Sequence, residues 1–409
     1  MVQPGKSLHG DTEIDRAFLS TPFIDAAFKA KRRTLEVYMR GAILVALASL
    51  LCASAAGAQT VQIPVIVPLT GPIALEGTSQ RNGAVLAIEG AMPLKVDTTI
   101  LDTAGAAEGG ANAFERAAGG KGVVAAVAPM FGTQVLPMIP LADEYSIPLL
   151  TTAGTAAITE KGSKFVYRFF PSDMVTKRAQ AKYVLEDLGK KKVAILYNAT
   201  AYGQSGFDAL TTYIKQGGGE VVYSDAIDLA TKDMTPTFAK LKAANPDIVL
   251  IQMHTGSMAL LLRQYRQAAV DIPVVANTML TMPSTAALLE PAELKGVCAE
   301  TSAWIGKGVS PDLDKFLDDY KAKYNAIPDF FALQQYDGVN MAIAAVKAGA
   351  KTPQDVQKYL ASSEYKGAAM TYKSDGKGNM AHSAVIVCFD GTSRSPALVK
   401  RYDGKPATN

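Results

Sequence analysis

Two short turns in the first half of the chain carry the residue types best suited to chemistry. One is Met130-Phe131-Gly132-Thr133, which follows the apolar run Val123 to Val127 and opens a helical stretch from Gln134 to Tyr145. The other is Thr151-Thr152-Ala153-Gly154-Thr155, which follows the apolar run Ile147 to Leu150. Backbone N–H groups and threonine hydroxyls at helix starts suit a carboxylate. Neither turn contains Arg or Lys, so an anion held there would rest on dipoles and hydroxyls, with no counter-charge. One such turn reads equally well as an ordinary helix cap. Two of them after neighbouring strands favour a site, because ligands of open parallel sheets sit beyond the carboxyl ends of the strands.

Other chemistries lack their residues. There is no GxSxG elbow, no Walker loop for phosphates and no HExxH pair, and Gly203-Gln204-Ser205-Gly206 misses a nucleophile elbow by one position. After residue 58 the only histidines are His254 and His382, and His254, alone at a strand end, reads as a polar rim residue rather than a base. The three cysteines show no CxxC or Cys/His zinc spacing, so no metal or cofactor is expected. Cys298 and Cys388 lie in apolar runs and read as two buried thiols, with a single bond in an oxidising compartment as the alternative.

The elements that would position the two turns follow a βαβα rhythm. Apolar strands are expected at Val61 to Pro68, Leu94 to Asp102, Val123 to Val127, Ile147 to Leu150 and Phe165 to Phe170, with helices between them. After Pro171-Ser172-Asp173 the rhythm restarts. It gives a helix from Thr176 to Leu188, then strands at Lys192 to Asn198, Glu220 to Asp228, Asp247 to Met253, Pro273 to Ala276 and Cys298 to Trp304. Helices then dominate, at Asp312 to Tyr324, Phe330 to Lys347 and Pro353 to Ala361, the last with Thr352 as its N-cap. A hairpin-like stretch from Ala384 to Phe389 closes the chain. Two half-chains of similar rhythm imply an α/β fold of two doubly wound parallel-sheet lobes. No Pro-, Gly- or Ser-rich linker divides them, which fits several crossings rather than one tether.

The chain has 409 residues, 48% hydrophobic and 19% charged, enough for two cores. Its net charge is +3, and residues 1–58 carry seven Lys/Arg against five Asp/Glu, leaving the remainder near +1. With no basic stripe, that balance argues against nucleic acid as partner. Within the first 58 residues, Arg40, the apolar run Ala42 to Leu51 and the small residues Ala56-Gly57-Ala58 read as a secretory signal cleaved before Gln59. The run is too short for a transmembrane anchor, which needs roughly 20 apolar residues. Cys52 lacks the preceding small residues of a lipoprotein signal. Residues 1–38 read as an upstream extension, with Met39 the true start or, alternatively, with a long positively charged leader.

Several pieces, in this order, resemble the leucine/isoleucine/valine-binding protein family, the type I periplasmic solute-binding proteins of ABC transporters. They are Pro68-Leu69-Thr70-Gly71-Pro72 with Gly77 and Gly83-Ala84, Ile147-Pro148-Leu149-Leu150-Thr151 with Thr155, Arg168 with Asp173, and Tyr202-Gly203-Gln204-Ser205-Gly206. The resemblance covers essentially the whole chain after the signal. It implies two lobes joined by three crossing segments, one lobe formed by 59–172 plus 304–384 and the other by 173–303 plus 385–409. It also implies a periplasmic monomer that is not an enzyme, binding a small ligand for an inner-membrane ABC permease. By position it assigns Thr133 to the ligand's α-carboxylate, the Ala153 carbonyl to its ammonium, and Thr155 to both. Phe131 and Gly154 belong to the same turns. Asp173 and Tyr202 would face the cleft from the second lobe, and His254 or Thr255 would stand where the family often has an aromatic side chain. Amino-acid binders of the family carry an acid near Thr278, where this chain has Asn277-Thr278-Met279. Glu76 could supply that charge from the first lobe. The ligand is thus a branched-chain or related amino acid or, without an amine, an aromatic or aliphatic acid or amide, since a buried ammonium needs a partner. A ligand-sensing module of the same fold is a further alternative that the signal segment disfavours. A secreted hydrolase is disfavoured by the missing nucleophile motifs.

Overall fold

The computed structural model describes residues 61–402 and the single position Lys31. The expected signal segment, its cleavage site and Gln59 lie outside the described residues. Among the described residues no helix is long and apolar enough to cross a membrane.

The first lobe begins with strands β1 (Val61–Gln62) and β2 (Val65–Val67), helix α1 (Ala74–Glu89), strands β3 (Val96–Asp97) and β4 (Ile100–Asp102), and helix α2 (Ala107–Ala118). Then come β5 (Ala126–Val127), α3 (Gly132–Tyr145), β6 (Leu149–Thr151), α4 (Ala157–Glu160) and β7 (Val166–Arg168). The single strand expected over 61–68 is broken at Pro64, which has no N–H for the ladder. Its two parts pair separately, β1 with β3 and β2 with β4. The main sheet is parallel throughout, in the order β4-β2-β5-β6-β7. Side chains alternate between its faces: Val65, Val67 and Leu150 enter one core, while Ile66, Ala126 and Leu149 enter another. Each fully buried Val, Leu or Ile side chain among them contributes about 1.5–3 kcal/mol.

The second lobe runs α5 (Asp173–Lys182), β8 (Lys192–Asn198), α6 (Ala201–Gln216), β9 (Glu220–Ile227), α7 (Thr235–Ala244), β10 (Ile248–Gln252), α8 (Thr255–Gln267), β11 (Val274–Ala276), two single-turn helices α9 (Pro283–Ala286) and α10 (Pro291–Leu294), and β12 (Cys298–Thr301). The helix expected from Thr176 starts at Asp173, because the Ser172 hydroxyl accepts the Met174 N–H at 3.3 Å and caps it. The chain then returns to the first lobe for α11 (Pro311–Tyr324), α12 (Phe330–Lys347), α13 (Pro353–Ser362) and the hairpin β13 (Glu364–Lys366) and β14 (Thr371–Lys373). It crosses again to add β15 (Ala384–Cys388) and β16 (Ala397–Tyr402) to the second sheet, whose order is β16-β15-β12-β11-β10-β8-β9.

Both lobes therefore share one plan. In each, the five parallel strands lie in the order second, first, third, fourth, fifth of their own chain sequence, with apolar cores on both faces. The crossings fall at about 169–172, 302–310 and 381–383, and the third runs back beside β7, where the Met380 N–H donates to the Arg168 carbonyl at 2.9 Å. Within the first lobe, α1 lies so close to the turn after β2 that a Cβ at Gly77 would stand 1.8 Å from the Pro68 carbonyl oxygen. The reading of Cys298 and Cys388 as free thiols is corrected: they sit opposite each other on antiparallel β12 and β15 and form a disulfide. Both are half-buried rather than buried.

Candidate functional site

The carboxyl ends of β5, β6 and β7 in one lobe face those of β8, β10 and β11 in the other. Every expected site residue outside α1 leaves one of these ends. The lobes touch there. A cluster of Ile73, Met130, Phe131 and Phe330 from the first lobe packs on Tyr202, Met279 and Met282 from the second, with Phe170 of the first crossing between them.

On the first-lobe side, Phe131 occupies the N-cap position of α3, and its side chain makes no capping bond. Thr133 lies in the first turn of that helix. Its hydroxyl and those of Thr152 and Thr155 are buried and find no hydrogen-bond partner among the described residues. They are not acting as caps. Thr155 is held tightly over the other turn: a Cβ at Gly132 would come 2.1 Å from its Oγ1. The turn at 153–155 is anchored from behind by Arg168, whose Nη1 donates to the Gly154 carbonyl at 3.1 Å and the Thr155 carbonyl at 2.6 Å. Nη2 donates to Thr159 Oγ1 at 2.6 Å, and Nε to Asn379 Oδ1 at 3.0 Å. Burial lowers the guanidinium to about 10, against the pull of Asp173, Asp375 and Glu160, so it stays charged at neutral pH.

On the second-lobe side, Asp173 opens α5 and is 1% exposed. A Cβ at Gly154 would meet Asp173 Oδ1 at 2.9 Å and the Tyr202 ring at 3.2 Å, so carboxylate, ring and turn converge. Neither Asp173 oxygen has a hydrogen-bond partner of normal geometry among the described residues. Burial raises its carboxyl to about 6, opposed by Lys177, the Ser205 hydroxyl and Arg168. Tyr202 accepts a bond from Asn277 Nδ2 at 2.9 Å, and its ring lies 5.2 Å from that of His254. His254 is 2% exposed, which corrects its reading as a rim residue. It stands edge-on to Phe131 across the cleft at 5.1 Å. Burial lowers its pKa to about 4, so the imidazole is neutral, packed between the rings of Phe131 and Tyr202.

Glu76 and Thr255 join the lobes directly: the Thr255 N–H donates to Glu76 Oε1 at 3.2 Å. Glu76 Oε2 is buried without a partner among the described residues, and burial raises the pKa of the carboxyl. Thr278 stands apart from the others. Its N–H donates to Glu300 Oε1 at 3.2 Å and its hydroxyl to Thr301 at 3.0 Å, so its polar groups are engaged within the second lobe.

The sequence reading missed Lys177 and Glu300, which form a buried ion pair between α5 and β12. Glu300 brings a carboxylate to the backbone of Thr278, close to the position where amino-acid binders of the family carry an acid. A glutamate inside the apolar run Val297 to Thr301 was the available signal. A cavity of about 350 Å3 opens beside Thr155, lined also by Leu136, Met174, Ala201 and Ser205. The arrangement gathers unpartnered hydroxyls from the first lobe, buried carboxylates from both lobes and aromatic rings between them.

The periplasmic binding protein family matches residues 60–391. A Leu/Ile/Val-binding protein of Rhizobium johnstonii is 29% identical over 297 residues, 71% of this chain and 80% of that one. Among solved structures, a leucine-binding protein of Thermotoga maritima superposes with a TM-score of 0.77 at 23% identity, over 84% of this chain and 99% of that one. A solute-binding protein of an ABC transporter from R. palustris, in complex with benzoate, gives the same TM-score at 17% identity, over 84% and 97%. These relatives are binding proteins rather than enzymes, and this chain, matched over most of its length, belongs to the periplasmic binding protein family.

Proposed function

We propose that this chain is the solute-binding component of an ABC importer, closing its two lobes on a small zwitterion, a branched-chain or related amino acid. The observation that carries this reading is the polarity of the cleft. Thr133 and Thr155 offer buried hydroxyls with no partner among the described residues, and Asp173 offers, beside Gly154, a buried carboxylate that makes no hydrogen bond of normal geometry among the described residues. A carboxylate fits the first set and an ammonium the second, with the Ala153 carbonyl beside it. Asp173 is better placed for the ammonium than Glu76, one of whose oxygens already takes the Thr255 N–H. Phe131, Tyr202 and His254 would enclose an apolar side chain. Residues 39–58 would direct export, the mature protein would begin at Gln59 as a periplasmic monomer, and an inner-membrane permease would receive the ligand. The lobes would divide as 59–172 plus 304–384 and 173–303 plus 385–409.

A second reading, an aromatic acid without an amine, is favoured by the Phe131, His254 and Tyr202 rings and by the benzoate-bound relative. Native mass spectrometry of freshly purified protein, followed by calorimetry with leucine, isoleucine, valine and benzoate, separates the two. Saturable binding of an aliphatic amino acid supports the first. Binding of benzoate with none of the amino acids replaces it by the second.

A further inference from the structure

A second cavity, of about 700 Å3, lies beside the crossings on the side of Arg168 away from the 153–155 turn. Its walls come from both lobes and from the crossings: Arg168 at the end of β7, α5 from the second lobe, the 375–382 segment, and Arg401 on β16. Five cationic side chains line it, Arg168, Arg178, Lys182, Lys377 and Arg401, against the carboxylates of Glu160 and Asp375. Asp375 accepts the Lys377 and Asn379 N–H groups at 2.8 and 3.1 Å and Asn379 Nδ2 at 2.6 Å, which fixes its carboxylate while its charge acts mainly on Arg168, leaving cations in excess around the rest of the wall. Lys182 pairs with Glu186 at 4.0 Å and Arg168 is balanced by Asp173, Asp375 and Glu160, but Lys377 and Arg401 make no ion pair among the described residues, and Arg178 makes only a ring contact there, 5.6 Å from the centre of Tyr213. Cations left unneutralised around a concave wall focus positive potential into it. The volume is that of a small-molecule site, larger than one inorganic ion needs.

We propose that this hinge cavity is a second ligand site, distinct from the cleft, for a small organic polyanion carrying two or more carboxylate or phosphate groups. Lys377 and Arg401 supply exposed charges from opposite sides of the cavity, and Arg168, its donors all engaged, holds the wall between them in place. The reading does not depend on what the cleft binds. Calorimetry at low salt with citrate and with pyrophosphate tests it and separates carboxylate from phosphate recognition. Saturable 1:1 binding of at least one probe is expected with Kd below about 1 mM, weakening with added salt. The Lys377→Glu/Arg401→Glu double variant should bind it at least about tenfold more weakly, with cleft-ligand affinity unchanged. The single variants Lys377→Gln and Arg401→Gln, each checked by a melting curve, serve if the double variant does not fold. The absence of saturable binding by either probe overturns the site, as does equal binding by wild type and folded variants.

Discussion

Asp173 is the residue where stability and recognition should pull in opposite directions. Its carboxyl is raised by burial from its ordinary 3.8 to about 6. Below pH 3.8 the group is protonated in both folded and unfolded chains and costs nothing. Between pH 3.8 and about 6 the unfolded chain ionises while the folded protein keeps the proton, so stability falls across that window, and above about 6 the folded protein holds the buried charge at a constant cost. The gap corresponds to about 3 kcal/mol at neutral pH, an upper estimate because Lys177 and Arg168 can relax toward it. Asp173→Asn removes the charge and keeps the shape. The ligand-free variant should therefore be more stable than wild type at pH 7.5, by up to about 3 kcal/mol, with the difference closing toward pH 4. Binding should move the other way. An ammonium beside Asp173 needs the ionised carboxylate, so leucine affinity of the wild type should rise through pH 6. The variant should bind at least about tenfold more weakly, with a flat profile. Urea denaturation at pH 4 and 7.5, with calorimetry across the same range, reads both quantities. Equal stability at pH 7.5, or leucine binding undiminished in the variant, would refute the assignment of a buried, ammonium-binding carboxylate.

Three further outcomes are expected. Thr133→Ala and Thr155→Ala should each weaken ligand binding roughly ten- to a hundredfold while shifting stability by no more than about 1 kcal/mol; calorimetry beside melting curves checks this, and unchanged affinity in both variants would remove the carboxylate site. Glu76→Gln keeps an acceptor for the Thr255 N–H and should leave affinity within about tenfold, whereas Glu76→Ala removes the contact between lobes and should weaken closure; small-angle scattering with and without ligand follows the compaction. Reduction of the Cys298–Cys388 bond, or Cys388→Ser, should lower stability by up to about 4–5 kcal/mol from loop entropy, given the sequence separation of 90, as read by denaturant midpoints.

The parts of the fold written in apolar pattern were the legible ones. Lys192–Asn198 and Phe330–Lys347 have the bounds their patterns predicted, the second because Asp329 caps its start by accepting the Ala332 N–H at 3.0 Å. The capping box at Thr352 and Asp355 was equally open to reading. Glu364–Lys366, Thr371–Lys373 and Ala397–Tyr402 were not: these short edge strands alternate with charged, exposed residues and carry little apolar signal. In the site, the threonine turns could be located because each directly follows a buried strand. The Lys177–Glu300 pair could not, because its partners lie 123 residues apart and meet only when α5 packs across β12. The burial of His254 depends likewise on Phe131 and Tyr202 closing over it from distant segments. The cysteine pairing was missed because two apolar runs do not reveal that they are antiparallel neighbours in register.

The Cys298–Cys388 bond also changes the topology of the hinge. The chain it encloses leaves β12, passes through α11, α12, α13 and the β13–β14 hairpin of the first lobe, and returns to β15. Two of the three crossings are thus arcs of one covalent ring threaded through both lobes, and only the crossing at 169–172 lies outside it. A load that separates the lobes falls on a closed strap whose two ends are bolted together in the second sheet, so β15 cannot leave β12 completely without cleaving sulfur from sulfur. Since such a ring closes where an oxidant is supplied, its state in a recovered molecule is a chemical record of where that molecule has been.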